Sequence, residues 1–373
     1  MTLKTHTIIL LLVFSPYLTF YGQQIQEIVA LGSPLSESSG LIFINQKLIT
    51  HNDSQGESAL YELDSLTGQF DRKVIIENAS NIDWEDLACD NDYIYIGDFG
   101  NNSGDRTDLI IYRISLQDYW NTPNDTVFAD SILLSYANQT SFTNQQNATN
   151  YDCEAITVIG DSLYLFSKNW LNQKTYVYVL PKDIGNYSLQ IRDSIAVQGL
   201  ITSADFNTVS NRLILTGNTP FAPFIIEMDW NATVPISQLS RNRYTISVPG
   251  SIQVEAVASI SENSYYLTSE AFFGNSGSLL RLDGGNGSLF LENYSLETAM
   301  LFPNPITENF QLQFKDPIAD VNIYISNLLG EVIFQMEYFN TDKIQLIAPQ
   351  TKGTYILTIL SNTAMQKEKI IVQ

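Results

Sequence analysis

Histidine and cysteine are almost missing from this chain of 373 residues, with two of each. His6 falls in the leading apolar segment, so His51 alone serves the rest, and no multi-histidine zinc or iron site can form within one copy. A Ser-His-Asp triad would have to run through His51 in Thr50-His51-Asn52-Asp53, where a lone histidine more often makes local hydrogen bonds. Cys89 and Cys153 make no disulfide framework and sit in no nucleophile motif; whether they pair stays open. Cations are scarce too, 19 Lys and Arg against 40 Asp and Glu, for a net charge of −21. Such a surface repels nucleic acid and anionic lipid and favours cations. The apolar run Ile8–Phe14 is far short of the about 20 residues a spanning helix needs, and nothing later in the chain spans. Helical periodicity is negligible. The glycine-rich Asp283-Gly284-Gly285-Asn286-Gly287-Ser288 reads as a hairpin turn with no helix behind it to hold a phosphate.

What is present begins at the two ends. Met1 to Gly22 has one cation (Lys4), a short apolar run and the close Phe20-Tyr21-Gly22, the layout of a secretory signal peptide over residues 1–22. The other end opens with Leu301-Phe302-Pro303-Asn304-Pro305. It continues through alternating strands at Val321–Ile325 and Leu329–Phe334, and closes with Lys352–Ile359 and Lys367–Val372. Val321, Ile323 and Ile325 alternate with Asn322 and Tyr324, the period-two pattern of a half-buried strand. These motifs, in this order, closely resemble the type-A C-terminal sorting domain of the type IX secretion system of Bacteroidota. The resemblance implies a small immunoglobulin-like β-sandwich over residues 296–373, recognised by the outer-membrane translocon. It also implies passage through the periplasm to a secreted or surface-attached location, the tail being cleaved off or exchanged for an anchor. Asp-Ser/Thr-apolar triplets at Ser65, Thr126, Ser131, Ser162 and Ser194 resemble the O-glycosylation sites of secreted proteins from the same bacteria.

Residues 23–295 carry an internal repeat. A small or acidic residue, any residue and an apolar one are followed by a strand ending in Asn, Asp or Glu, and then by a third strand. The anchor triplets are Ser39-Gly40-Leu41, Glu85-Asp86-Leu87, Glu154-Ala155-Ile156, Ala204-Asp205-Phe206 and Glu255-Ala256-Val257, spaced 46, 69, 50 and 51 apart. Fourth strands fit at Lys73–Glu77, Ser131–Tyr136, Leu189–Val197 and Tyr244–Val248, and the Asn/Thr/Gln-rich insertion 121–150 accounts for the long interval. Four strands per unit of about 50 residues predict an all-β chain with a five-bladed β-propeller, a degenerate sixth blade staying open. Gln26 to Leu31 would close the ring on the last blade.

In such a blade the start of the first strand and the end of the second share one face. Glu85, Glu154 and Glu255 hold one repeat position at the channel mouth, and Asp53, Asp98, Asn218 and Glu270 end the returning strands on the same face. Asp83 and Asp152, each two positions before a glutamate, lean the same way, and Lys168 is the nearest cation. Crowded carboxylates are relieved by a bound cation or a raised pKa, and oxygen ligands at flexible spacing suit calcium. Glu85, Glu154 and Glu255 are therefore the candidate metal ligands, and Asp53, Asp98, Asn218 and Glu270 the candidate binding residues. Asp83-Trp84-Glu85-Asp86-Leu87 and Asp152-Cys153-Glu154-Ala155-Ile156 are similar to openings in the esterase-like propellers related to phytase, which implies metal ions on an acidic top face. Two carboxylates, Glu85 with Glu154 or Glu255, could equally serve a glycosidase. Trp120, Trp170, Trp230 and Phe272-Phe273-Gly274 are candidates for stacking on a sugar or peptide.

The leading expectation is a binding module for an extracellular glycan, peptide or protein on that acidic face, with calcium. The alternatives are a calcium-dependent hydrolase of phosphate or carboxylic esters and a passive surface scaffold. The glutamates discriminate between them: they converge around an open coordination position, or they are satisfied by backbone and by each other.

Overall fold

The computed structural model describes residues 24–54, 56–219, 222–246, 252–270, 276–284, 299–328, 332–361 and 364–373. The expected signal peptide 1–22, the aromatic pair Phe272-Phe273 with Gly274, most of the 283–288 turn, the boundary at 295/296 and Leu329-Gly330-Glu331 lie outside the described residues.

Alternating apolar residues fold residues 24–283 into five small, mainly antiparallel sheets of four or five strands. Their first strands are Ser38–Ile44, Trp84–Cys89, Cys153–Ile159, Leu200–Asn207 and Val254–Ser259. Each packs against the next, and the fifth returns to the first, so the five inner strands close a ring in a propeller-like arrangement. Gln24–Leu31 pairs with Gly277–Asp283 as the outer strand of the last sheet, and so closes the ring between the two ends of this region. Between sheets lie the apolar cores: Trp84, Ile96 and Ile114 beside Ile49 and Leu60, and Leu165 and Tyr178 beside Tyr95 and Ile132.

Two outer strands depart from the repeat. The expected single strand over Leu189–Val197 is split. Gly185–Leu189 crosses to pair in parallel with Asp130–Tyr136 of the second sheet, and Asp193–Ala196 completes the third. Within the 121–150 insertion, Thr126–Val127 pairs in parallel with Phe70–Ile76, tying it to the first sheet. Helix is confined to Leu116–Asn121 and the short 3-10 turn Ile236–Gln238 among the described residues. None there is long and apolar enough to cross a membrane.

Residues 299–372 form a separate five-stranded sheet. The long strand Asn309–Ser326 pairs with Val332–Ile347 along its length and with Gly353–Ser361 over its second half. Val321, Ile323 and Ile325 are buried as the alternation predicts, together with Phe310, Leu357 and Ile370. A bridge from Ile306 to Val372 brings the last strand back toward the first.

One carboxylate joins the inner strands. Asp86, fully buried, accepts hydrogen bonds from the Leu87 N–H (2.9 Å), the Ile156 N–H of the third sheet (3.0 Å), and the Ser203 hydroxyl (3.0 Å) and Ala204 N–H (3.1 Å) of the fourth. Its reach joins the second sheet to the fourth, which is not its neighbour in the ring. Truncating it leaves several buried donors unpaired, each costing about 1–3 kcal/mol. Asp86→Ala is therefore expected to lower the melting temperature by roughly 5–10 °C, from a loss of about 3 kcal/mol. A melt within about 2 °C of the parent would show that the axis does not depend on it.

Candidate functional site

The site is built by a register device repeated in every sheet. Each inner strand slips by one residue against its neighbour, between Ser39 and Leu41, Trp84 and Asp86, Cys153 and Ala155, Ile201 and Ser203, and Val254 and Ala256. A β-bulge leaves one residue out of the ladder and re-aims its side chain. The residues so released are Gly40, Glu85, Glu154, Thr202 and Glu255, so the three glutamates share one structural position. The repeat read from sequence had put Ser39 and Ala204 in the other two copies. The structure corrects both, because the released residue is set by strand register and not by the apolar residue two places on. Gly40 has a φ of +61°, and a Cβ there would strike His51 Nε2 and the Leu87 backbone nitrogen. Thr202 turns its hydroxyl to the Val254 carbonyl at 2.8 Å.

Two groups of three carboxylates result. Ligand oxygens of Asp53, Asp83 and Glu85 lie within 4.8 Å of one another, and so do those of Glu85, Asp152 and Glu154. Glu85 belongs to both, and Glu255 to neither. The second group is largely satisfied by protein. Lys168 Nζ stands 3.0 Å from Glu154 Oε2 and over the Trp170 ring. Asp152 accepts from Trp170 Nε1 at 2.8 Å and from the Asn101 N–H at 2.6 Å. In the first group Asp53 accepts, among the described residues, only from its neighbour Ser54, at 2.6 Å. The loop after the second returning strand presses on this group, since a Cβ on Gly100 would collide with Glu85 Oε1 and Asp83 Oδ2.

Burial and mutual repulsion raise these acids. Glu85, Glu154 and Glu255 are pushed well above the carboxylate range, first by burial and then by neighbouring carboxylates: Glu154 on Glu85, Asp152 on Glu154 and Glu270 on Glu255. Asp83 rises to about 7 through burial and the charges of Asp53 and Asp152, and Glu270 to about 7 through burial and Asp53. Lys168 stays charged, because the surrounding glutamates outweigh its own burial.

The remaining candidates have other partners. Asp98 is bound by Arg106 at 2.9 Å and accepts from the Asp83 N–H at 3.1 Å, so it anchors the loop. The Asn218 amide clamps both backbone groups of Val254 at 3.0 Å, joining the fourth and fifth sheets. Glu270 faces Asp53 and Lys168 electrostatically from the end of its strand. His51 is fully buried against Trp84, its Nδ1 bonded to the Asn52 carbonyl at 2.9 Å, and burial lowers its pKa to about 4. Cys89 and Cys153 are both free thiols. Trp230 stacks edge-on against Tyr164 and Phe206, and Trp120 against Tyr119, whereas Trp170 belongs to the acidic centre. Sequence reasoning passed over Asp86, which it read as the unconstrained middle residue of the repeat; only its intersheet bonds reveal its role.

The fold and the site define a β-rich protein with an acidic, oxygen-lined centre. Residues 300–373 match the secretion system C-terminal sorting domain family, so this segment is a sorting domain and the secretion machinery that reads such domains is a partner of the chain. No curated protein matches the chain. Among solved structures, a GH43_1 enzyme from Xanthomonas citri is 9% identical, covering 71% of this chain and 91% of its own, with a TM-score of 0.43. Regucalcin, a calcium-binding protein from Agrobacterium tumefaciens str. C58, is 12% identical over 69% of this chain and 94% of its own, with a TM-score of 0.36. A protein of unknown function from Dyadobacter fermentans DSM 18053 is 8% identical over 65% and 74%, with a TM-score of 0.39. Similarities this faint carry nothing over to this chain.

The raised carboxyls fix a sign. Asp83 and Glu270 hold protons near pH 7 that an unfolded chain, with carboxyls near 4, has already released. The folded state thus binds more protons, and its stability falls as pH rises through about 7. His51, lowered to about 4, acts in the opposite sense, but only below about pH 6.5. In EDTA the melting temperature is expected to decline from about pH 6.5 to 8.5, and Asp83→Asn to flatten the decline. A flat or rising profile in the parent would refute the raised carboxyls.

Proposed function

We propose that this protein is an exported five-bladed β-propeller, followed by an immunoglobulin-like sorting domain, that binds calcium at Asp53, Asp83 and Glu85. In this reading residues 1–22 direct passage to the periplasm, residues 23–295 are the propeller, and residues 296–373 carry it outward. The acidic face then presents the ion to an extracellular glycan, peptide or protein ligand. One observation carries the metal reading: three carboxylates converge within 4.8 Å, and Asp83 among them accepts no side-chain hydrogen bond from protein among the described residues, while Glu85 shares one with Glu154. An all-oxygen donor set without histidine or thiolate favours a hard cation. Glu154, assigned from sequence as a ligand, serves here with Lys168 as a fixed charge pair beside the ion, and Glu255 as part of the surrounding field.

The hydrolase reading has one observation in its favour, the Lys168 ammonium 3.0 Å from Glu154 among buried carboxyls that burial and mutual repulsion raise. It requires calcium-dependent release of nitrophenol from p-nitrophenyl phosphate or acetate, abolished by Glu85→Gln.

The calcium reading is tested on the full chain by melting in calcium and in EDTA. A site filled at about 100 times its dissociation constant adds about 2.7 kcal/mol, or roughly 5–10 °C for a domain of this size. The shift is expected in the parent and lost in Asp83→Asn and in Glu85→Gln, both of which should melt higher than the parent in EDTA. Absence of a shift in the parent, or its survival in both variants, would remove the metal and leave the scaffold reading.

A further inference from the structure

The insertion that lengthens the second repeat interval does more than join two strands. Its irregular part, residues 137–150, runs over the surface beside the third sheet, and hydrogen bonds hold it in place. The Gln145 N–H donates to the Ser103 carbonyl and the Asn147 N–H to the Asn102 carbonyl, both at 2.8 Å. Gln139 Nε2 donates to the Gly104 carbonyl at 2.7 Å, and the Tyr151 hydroxyl to the Asn138 carbonyl at 3.1 Å. A long loop tied down this firmly is ordered in advance of any ligand, which lowers the entropy lost on binding.

Between this loop and the third sheet lies a cleft of about 300 Å³, at the lower end of the range for small-molecule sites. In a chain of net charge −21, none of the fourteen residues lining it is charged. Its polar wall consists of amides and hydroxyls, among them Asn138, Thr140 and Gln145, whose side chains have no protein partner among the described residues. Its apolar wall includes Leu171, 65% exposed, Ile191, 40% exposed, and the Tyr176 ring.

We propose that this cleft binds a sugar unit of a neutral polysaccharide. A sugar hydroxyl both donates and accepts, and so do side-chain amides and hydroxyls, whereas a carboxylate only accepts and an ammonium only donates. The C–H faces of the ring would cover Leu171, Ile191 and Tyr176, which otherwise expose apolar surface to water. The absence of charge from the lining disfavours anionic sugars and metal ions. The site is independent of the calcium reading: the 100–106 loop meets the acidic centre through Gly100 and Asn101 and the cleft through Ser103 and Gly104, but the two use different chemistry.

The test is affinity electrophoresis of the full chain in native gels containing laminarin, xyloglucan, galactomannan or starch, with alginate as the anionic polymer and gelatin as the peptide. Retardation by at least one neutral polysaccharide is expected, unchanged in EDTA and absent with alginate and gelatin. The exposed double variant Asn138→Ala/Gln145→Ala, melting within about 2 °C of the parent, should weaken it about tenfold or more. Retardation by none of the four, by alginate or gelatin alone, or of equal strength in the double variant would overturn the proposal. Binding that persists in EDTA while calcium gives no thermal shift would sustain the cleft and remove only the metal.

Discussion

A single buried carboxylate, Asp86, holds the centre of the ring together. It takes donors from the third and fourth sheets while belonging to the second. The chain of bonds extends further, since the Ser39 hydroxyl of the first sheet donates to the Glu85 carbonyl, and the Val257 N–H of the fifth donates to the Ser203 hydroxyl. All five inner strands are thus linked through polar groups at one level of the axis. Burial pushes the Asp86 carboxyl well above its usual range, and the four donated hydrogen bonds pull against that. A buried carboxyl so fully bonded fixes relative position, because no other register of the inner strands offers it the same donors.

The same stretch of chain sets the tension above it. Glu85 is released by the bulge while the next residue, Asp86, returns to the ladder, so adjacent acids take opposite tasks. Bringing Glu85, Glu154 and Glu255 to one narrow mouth, each at most 7% exposed, costs desolvation and repulsion. Three kinds of positive charge can offset this: protons, the Lys168 ammonium and a bound cation. The geometry divides them. Lys168 with Trp170 and Asn101 serves the side of Glu154 and Asp152, while on the other side of Glu85 the Arg106 charge reaches Asp83, and that of Lys168 reaches Asp53, only as weaker offsets to burial and repulsion. Glu85, shared by both groups, couples one side to the other.

Much of this was legible in the sequence, and the misses share a cause. The alternation of apolar residues placed the strands, the insertion and the closing segment Gln26–Leu31, because period two is a local property of the chain. The glutamates stood out because their spacing matched the repeat. Register was not legible: a bulge adds one residue without changing composition, so Ser39 was read for Gly40 and Ala204 for Thr202. Parallel pairing at a distance was equally hidden, and it divided Leu189–Val197 between two sheets. Asp98 and Asn218 look like ligands in a one-dimensional pattern. Only coordinates show Arg106 on the one and the Val254 backbone on the other.

The proposed cation site around Glu85 and a proton-sharing carboxyl cluster make opposite demands on the electron density there. A crystal structure of the full chain grown in calcium near pH 7.5 separates them most directly. A cation site requires an ion with Glu85, Asp53 and Asp83 oxygens at about 2.3–2.6 Å, and Lys168 still on Glu154. Carboxyls bonded to one another and to Lys168, with no ion between Asp53 and Glu85, would contradict it.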